Sequence, residues 1–103
     1  MKEFYTKIYN RLREVPSGKV TTYKELAHSV GSRAYRAVGT AMKNNRDIKN
    51  IHCYKVVLSN GYVGQYSNGG TRAKIKKLGK EGILTKGKRI IDFEKYLHKY
   101  KKD

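Results

Sequence analysis

Apolar residues recur at helical intervals over the first fifteen positions: Phe4, Tyr5, Ile8, Tyr9, Leu12 and Val15. Spacings of three and four put them on one face, so an amphipathic helix is expected from Glu3 to Val15. Pro16-Ser17-Gly18 ends it. Val20-Thr21 reads as short and extended. Thr22, with Glu25 three residues on, has the form of a capping box. A second helix is therefore expected from Tyr23 to about Val30, stopped by Gly31. Ser32 is placed to cap a third, Arg33 to about Asn44, with the apolar set Ala34, Ala37, Val38, Ala41 and Met42. Helix, glycine-bearing turn, helix is the outline of a helix-turn-helix, an outline that many helical pairs share.

The pattern then changes. Ile51 to Leu58 is apolar and β-branched, which suggests an extended segment, and Ser59-Asn60-Gly61 is a turn. Tyr62 to Gly70 is rich in glycine and aromatics and has no period, so it reads as a shaped loop. It is either an ordinary connection or a pocket wall, where glycine admits a ligand and tyrosine stacks on it. Thr71 can cap a helix from Arg72 to Lys80 that ends at Glu81-Gly82. A second turn, Thr85-Lys86-Gly87-Lys88, leads to Ile90-Ile91-Asp92-Phe93. The tail to Asp103 is expected to form a short helix on Phe93, Tyr96 and Leu97 and then to fray. There is no internal repeat, linker or low-complexity block. The expected fold is α-rich mixed α/β: a winged helix-turn-helix-like single domain over residues 1–103 with a short β-hairpin.

Composition narrows the function classes. A chain of 103 residues builds one small core. No apolar run approaches the roughly 18 residues of a membrane span, and Met1-Lys2-Glu3-Phe4-Tyr5 lacks the apolar centre of a signal peptide. One cysteine and no export signal point to a reducing, intracellular home, the cytoplasm or nucleoid. Lys plus Arg number 24 against 8 acidic residues, a net charge of +16. Such a field attracts polyanions, nucleic acid above all, although solubility or a ribosome-associated role would also account for it. Half of the basic residues follow Gly70. No segment is apolar on one face and basic on the other, so a membrane partner is not expected. Three scattered histidines and one cysteine do not make a metal-ligand spacing, and no metal is expected.

Cys53 is the residue on which the chemistry turns. A lone thiol has no internal disulfide partner, so it is either inert packing or a nucleophile. The third helix is unusual in its small residues, Ala34, Ala37, Gly39, Thr40 and Ala41. Gly39 alone costs about 1 kcal/mol relative to Ala, so another helix or a ligand should approach that surface closely. Arg33, Arg36 and Lys43 add positive charge to the same element. Glu81 can be a plain helix-end acid, and His28 and His98 read as surface residues.

Several segments, in order, resemble one family. They are Val15-Pro16-Ser17-Gly18-Lys19-Val20-Thr21-Thr22-Tyr23-Lys24-Glu25-Leu26-Ala27, Arg36-Ala37-Val38-Gly39-Thr40-Ala41-Met42-Lys43-Asn44-Asn45, Ile51-His52-Cys53-Tyr54-Lys55-Val56-Val57, Gly64-Gln65-Tyr66-Ser67-Asn68-Gly69-Gly70 and Lys80-Glu81-Gly82. The family is that of the O6-alkylguanine-DNA alkyltransferases (methylated-DNA–protein-cysteine methyltransferases) and the related alkyltransferase-like proteins. The resemblance runs from Phe4 to Leu97 and corresponds to the family's C-terminal domain, with no counterpart of its N-terminal domain.

The resemblance implies an enzyme without cofactor, acting as a monomer on double-stranded DNA that contains O6-alkylguanine. Cys53 would take the alkyl group in a single, suicidal turnover. Arg36 would fill the space of the flipped base, and Tyr23 would press on its phosphate. Asn45 would brace the turn before the active site. Tyr66, Ser67 and Met42 would line the alkylguanine pocket, with Val56 near the base amino group. Glu81 would end a proton relay. The helix-turn-helix would dock in the minor groove, where Ala37 and Gly39 allow close approach, and Arg33 and Ser59 would touch phosphate.

Two departures change this picture. The family's Pro-Cys-His-Arg is here His52-Cys53-Tyr54-Lys55. A thiol with a pKa near 8.5 is only a few per cent ionised at neutral pH, so losing the His base should slow transfer. Tyr54 in its place is a poor base that can still hold a water and relay a proton with Glu81. Lys55 would favour the thiolate, while His52, next to Cys53 on an extended segment, would point away from it. Asn68 is an extra residue that would reshape the pocket wall. Two rivals stand beside the enzyme. One is a non-enzymatic alkyltransferase-like binder that flips the damaged base and hands it to excision repair. The other is a basic DNA-packaging protein that merely shares the fold.

Overall fold

A computed structural model describes residues 2–100. The chain runs α1 (Lys2–Arg13), β1 (Thr21–Thr22), α2 (Tyr23–Ser29), α3 (Tyr35–Lys43), a 3-10 turn (Cys53–Lys55), β2 (Val56–Val57), α4 (Gly70–Lys80), β3 (Thr85–Lys86), β4 (Arg89–Ile90) and α5 (Phe93–Tyr96). The result is the helix-rich, strand-poor fold with a short hairpin that the pattern predicts. The chain beyond Tyr100 lies outside the described residues.

α1 ends two residues before Val15, but Val15 stays buried beside Ile8 and Leu12. Each such side chain, fully buried, is worth roughly 1.5–3 kcal/mol. Thr22 caps α2 as expected, its hydroxyl accepting from the Glu25 amide at 2.9 Å, a cap worth about 1 kcal/mol. Gly31 takes the left-handed conformation, φ 73°, and turns the chain between α2 and α3. The Tyr9 hydroxyl donates to the Ala41 carbonyl at 2.6 Å, fastening α1 to α3.

α3 starts two residues later than its small-residue run suggests. Ser32 does not cap it; its hydroxyl accepts instead from the Ala34 amide at 3.0 Å, in the turn that precedes the helix. Arg33 is therefore on the turn rather than on the helix. α4 begins at Gly70, after Gly69 at φ 112°. Thr71 lies inside that helix, and its hydroxyl donates to the Gly64 carbonyl at 3.2 Å, so it holds the pocket wall instead of capping.

The largest departure is at Ile51 to Leu58. Cys53–Lys55 is a single helical turn, and only Val56–Val57 is extended. β2 pairs in parallel with β1, Thr21 against Val56 and Thr22 against Val57. Residues alternate across a strand. Val56 accordingly joins the helical core with Leu26, Val38, Ala41 and Cys53, and Val57 joins a second core of Val20, Val63, Leu78, Ile83 and Ile90. The two strands thus sit between a helix-turn-helix half and an α4–hairpin half. Among the described residues no helix is long and apolar enough to cross a membrane.

Candidate functional site

Cys53 opens the 3-10 turn and is buried against the helix-turn-helix core. It borders a cavity of about 870 Å³, within the size range of small-ligand sites. The helix-turn-helix contributes Tyr23, Arg36, Gly39 and Met42 to its lining, and the glycine-rich loop contributes Tyr66 and Ser67. These expected residues are brought together. The loop is thus a wall and not a plain connection. A methyl group added at Gly39 would meet nothing within 4 Å, so among the described residues no other helix covers that surface, and the open space belongs to the cavity mouth. Burial pushes the Tyr66 phenol above its ordinary pKa, while a hydrogen bond with the Asn68 side chain works the other way.

Other expected residues lie outside this cavity. Val56 is fully buried in the core. Ala37 is half-buried, and Arg33 is exposed on its turn. Ser59 lines a separate depression by the hairpin, with Lys86 and Arg89. Asn45 donates to the Ile51 carbonyl at 2.7 Å and accepts from the Asp47 amide at 2.9 Å, which ties the 45–51 turn to α3.

Tyr54, Lys55 and Glu81 form a cluster on the other side of the turn. The Glu81 carboxylate accepts from the Gly18 amide at 2.8 Å and pairs with the Lys55 ammonium at 3.0 Å through one oxygen. Its other oxygen accepts from the Tyr54 hydroxyl. Burial raises the Glu81 pKa, but the donors Tyr54, Gly18 and Lys55 outweigh it and hold the group below the ordinary carboxylate value. The Tyr54 phenol is driven far above its normal range by burial and by its bond to Glu81. Tyr54 is therefore a donor and not a base. Lys55 also donates to the Pro16 carbonyl at 2.6 Å. Its ammonium is thus held between Glu81 and the Pro16 carbonyl. His52 is exposed and bonds the Lys49 carbonyl at 2.9 Å, its ring stacked on Tyr54 at 5.5 Å. It is turned from the thiol by this bond and not by strand alternation. His28 is a surface residue bonded to the Tyr35 hydroxyl at 2.7 Å. His98 is half-buried, against expectation, with its ring packed on Tyr100 at 4.7 Å. Among the described residues no base is hydrogen-bonded to Cys53, and no cluster has three metal ligands.

One residue that matters at the site is not foreseen. Lys74, on α4, is completely buried. Its ammonium donates to the Val56 carbonyl at 2.6 Å and the Gln65 carbonyl at 3.0 Å. It clamps the chain leaving Cys53 to the wall leading to Tyr66. Desolvation lowers its pKa to about 8, partly offset by attraction to Cys53. The signal was present: Lys74 is three residues after Thr71 and four before Leu78, on the inward stripe of α4.

Known proteins are similar to this chain in sequence and fold. A bifunctional methyltransferase/endonuclease of Picrophilus torridus is 41% identical over 95 residues, 91% of this chain and 31% of that protein. A methylated-DNA–protein-cysteine methyltransferase of Metallosphaera sedula is 42% identical over 83 residues, 81% of this chain and 51% of that protein. The chain thus spans a third to a half of these curated relatives. The crystal structure of Schizosaccharomyces pombe Atl1 in complex with damaged DNA containing O6-carboxymethylguanine superposes with a TM-score of 0.83 and 30% identity, over 97% of this chain and 98% of that one. The family model for the 6-O-methylguanine DNA methyltransferase, DNA binding domain, matches residues 3–83, and the chain belongs to that family of DNA alkylguanine repair and recognition proteins.

Proposed function

We propose that this chain binds DNA containing O6-alkylguanine, receives the flipped base in the Cys53 cavity, and takes the alkyl group onto the Cys53 sulfur. The observation that carries this reading is the meeting of Cys53, Tyr66 and Ser67 with Tyr23, Arg36 and Gly39 in one cavity open to the helix-turn-helix face. A thiol faces a roomy, largely apolar wall, and the cations that would seat DNA flank its mouth. In the transfer, sulfur attacks the alkyl carbon, the carbon–O6 bond breaks, and its electron pair stays with the guanine. The thiol proton ends on the guanine, so charge and atoms balance without a cofactor. Arg36 takes the place of the displaced base. The minor groove suits the small residues Ala37 and Gly39.

General acid–base help is typically worth a factor of 10² to 10⁴. With Tyr54 donating to Glu81, that help is missing at the position after Cys53, so transfer is slow. This same observation favours a second reading, that of a binder which recognises the lesion without reacting. Intact mass spectrometry after incubation with excess O6-methylguanine duplex decides between them. The expected result is one added methyl mass on Cys53, absent in Cys53→Ala, with both forms binding the lesion. An unchanged mass, with alkylated duplex still preferred over plain duplex, establishes the binder.

A further inference from the structure

The cavity at Cys53 does not stop at its wall. Leu58, Gly64, Gln65 and Thr71 border it and also a neighbouring depression of about 360 Å³. The outer rim of that depression is Asn60, Tyr62 and Lys88. Asn60 and Tyr62 border in turn a depression against the β3–β4 hairpin, with Ser59, Lys86 and Arg89. Residues in common set the three side by side, from the thiol to the hairpin.

The hairpin is fixed along that row. The Val63 amide donates to the Lys88 carbonyl and the Ile90 amide to the Gly61 carbonyl, each at 2.9 Å. β4 therefore extends the segment that opens the pocket wall. Lys86, Lys88 and Arg89 are all exposed, and Lys86 and Arg89 face each other across the antiparallel pair. Like charges opposed in this way are destabilising, and an anion laid across them removes the penalty. Tyr62, 46% exposed, presents an aromatic face beside Lys88. Cations interleaved with an exposed ring are the lining that nucleic-acid strands use. Asp92 and Glu94 border the far depression and repel anions there, so the row has an end as well as a direction.

We propose that the β3–β4 hairpin is a second DNA-contacting element, which holds the duplex flank beside the lesion. Lys86, Lys88 and Arg89 sit on successive phosphates, and Tyr62 packs against the adjoining sugar. The proposal rests on the reading that a nucleotide enters the Cys53 cavity. The strand carrying that nucleotide has to leave the cavity mouth along an open path, and this row of depressions is basic.

The test uses the full chain and unmodified duplex, so it does not depend on whether Cys53 reacts. Binding is measured by fluorescence anisotropy between about 50 and 200 mM salt, where each phosphate contact on B-DNA contributes about 0.9 to the slope of log K against log[salt]. For Lys86→Gln/Lys88→Gln/Arg89→Gln the slope is expected to shrink by about 2 to 3. Lys76→Gln/Lys80→Gln/Lys99→Gln, which removes as much exposed charge elsewhere, should change the slope by less than about 1. Equal slopes for the hairpin variant and wild type overturn the proposal. So does an equal loss in the second variant, which would make the effect one of overall charge. Lys88→Gln alone, expected to remove about one contact, serves if the triple variant does not fold.

Discussion

Cys53 and Lys55 stand two residues apart on one turn, yet they belong to opposite kinds of site. On the Cys53 side there is space, an apolar lining and no hydrogen-bonded base. On the Lys55 side every polar group is used: Glu81 holds Gly18, Lys55 and Tyr54, and Lys55 also holds Pro16. A half-buried carboxylate survives because three donors replace its water. The acid, tyrosine and lysine are tied to one another and into the fold. They brace the turn that presents the thiol. A tight polar cluster thus sets the position of a reactive group, and a looser apolar space leaves it room to act.

Removing the centre of the closed side should have the largest effect. Glu81→Ala leaves the Lys55 ammonium, only 3% exposed, without its counter-charge. Breaking a buried pair in this way costs about 3–5 kcal/mol, a large part of a small domain's stability, and urea denaturation reads it directly. Acid should act on the same cluster. The folded pKa of Glu81 lies below its ordinary value of 4.5, so its contribution is complete above that value. It is lost as pH falls through the folded pKa, because the unfolded chain then binds the proton first. Glu81→Ala should flatten this acid limb.

Tyr54→Phe separates bracing from proton transfer. It removes one bond to a charged acceptor on a half-buried side chain, an expected loss of about 1–2 kcal/mol. If Tyr54 only braces, the rate of alkyl transfer to Cys53, measured in single turnover on folded protein, stays within about two-fold. A drop of ten-fold or more would show that Tyr54 and Glu81 do relay the proton, and the two sides of the turn would then be one machine.

Much of this was legible in the sequence. The helices of the helix-turn-helix, their glycine turn and the terminal hairpin follow from local spacing and turn chemistry, because local interactions build them. Of the pocket residues expected from motif order, Met42, Tyr66 and Ser67 line the Cys53 cavity, while Val56 lies in the core and Leu58, Gln65 and Thr71 line the cavity without having been expected there. What misled was the stretch after Ile51. Its β-branched run suggests a strand, but Lys55 has to reach Glu81 and Pro16, contacts 26 and 39 residues away, and a helical turn achieves this. Thr71 and Ser32 failed as caps for a related reason. Each hydroxyl found a nearer use, Thr71 on the pocket wall and Ser32 in the turn. The parallel pairing of β1 with β2 left no local mark, since two two-residue strands carry too little pattern.

Lys74 gives the smallest effect and the finest test of the contrast, because it is a buried charge on the open side. Its carbonyl partners, Val56 and Gln65, are neutral, so unlike Lys55 it has no counter-ion among the described residues. Its folded pKa is about 8 against an ordinary 10.5. Between these values the unfolded chain carries a proton that the folded chain has released. Stability therefore rises with pH across that window. Tyr9, Tyr23, Tyr54, Tyr66 and Tyr100, all held above the ordinary phenol value in the fold, oppose the trend as pH nears 10, where unfolded phenols ionise first, so the clean interval is pH 8 to about 9. Lys74→Met fills the same space and abolishes the proton release, leaving two carbonyls unbonded. Thermal unfolding should show a rise in Tm between pH 8 and about 9 for the wild type and a flatter line for the variant. Parallel lines would mean that Lys74 keeps its proton. It would then be a full cation near Cys53 throughout the working range, and the open side would carry the charge that the closed side does not lend it.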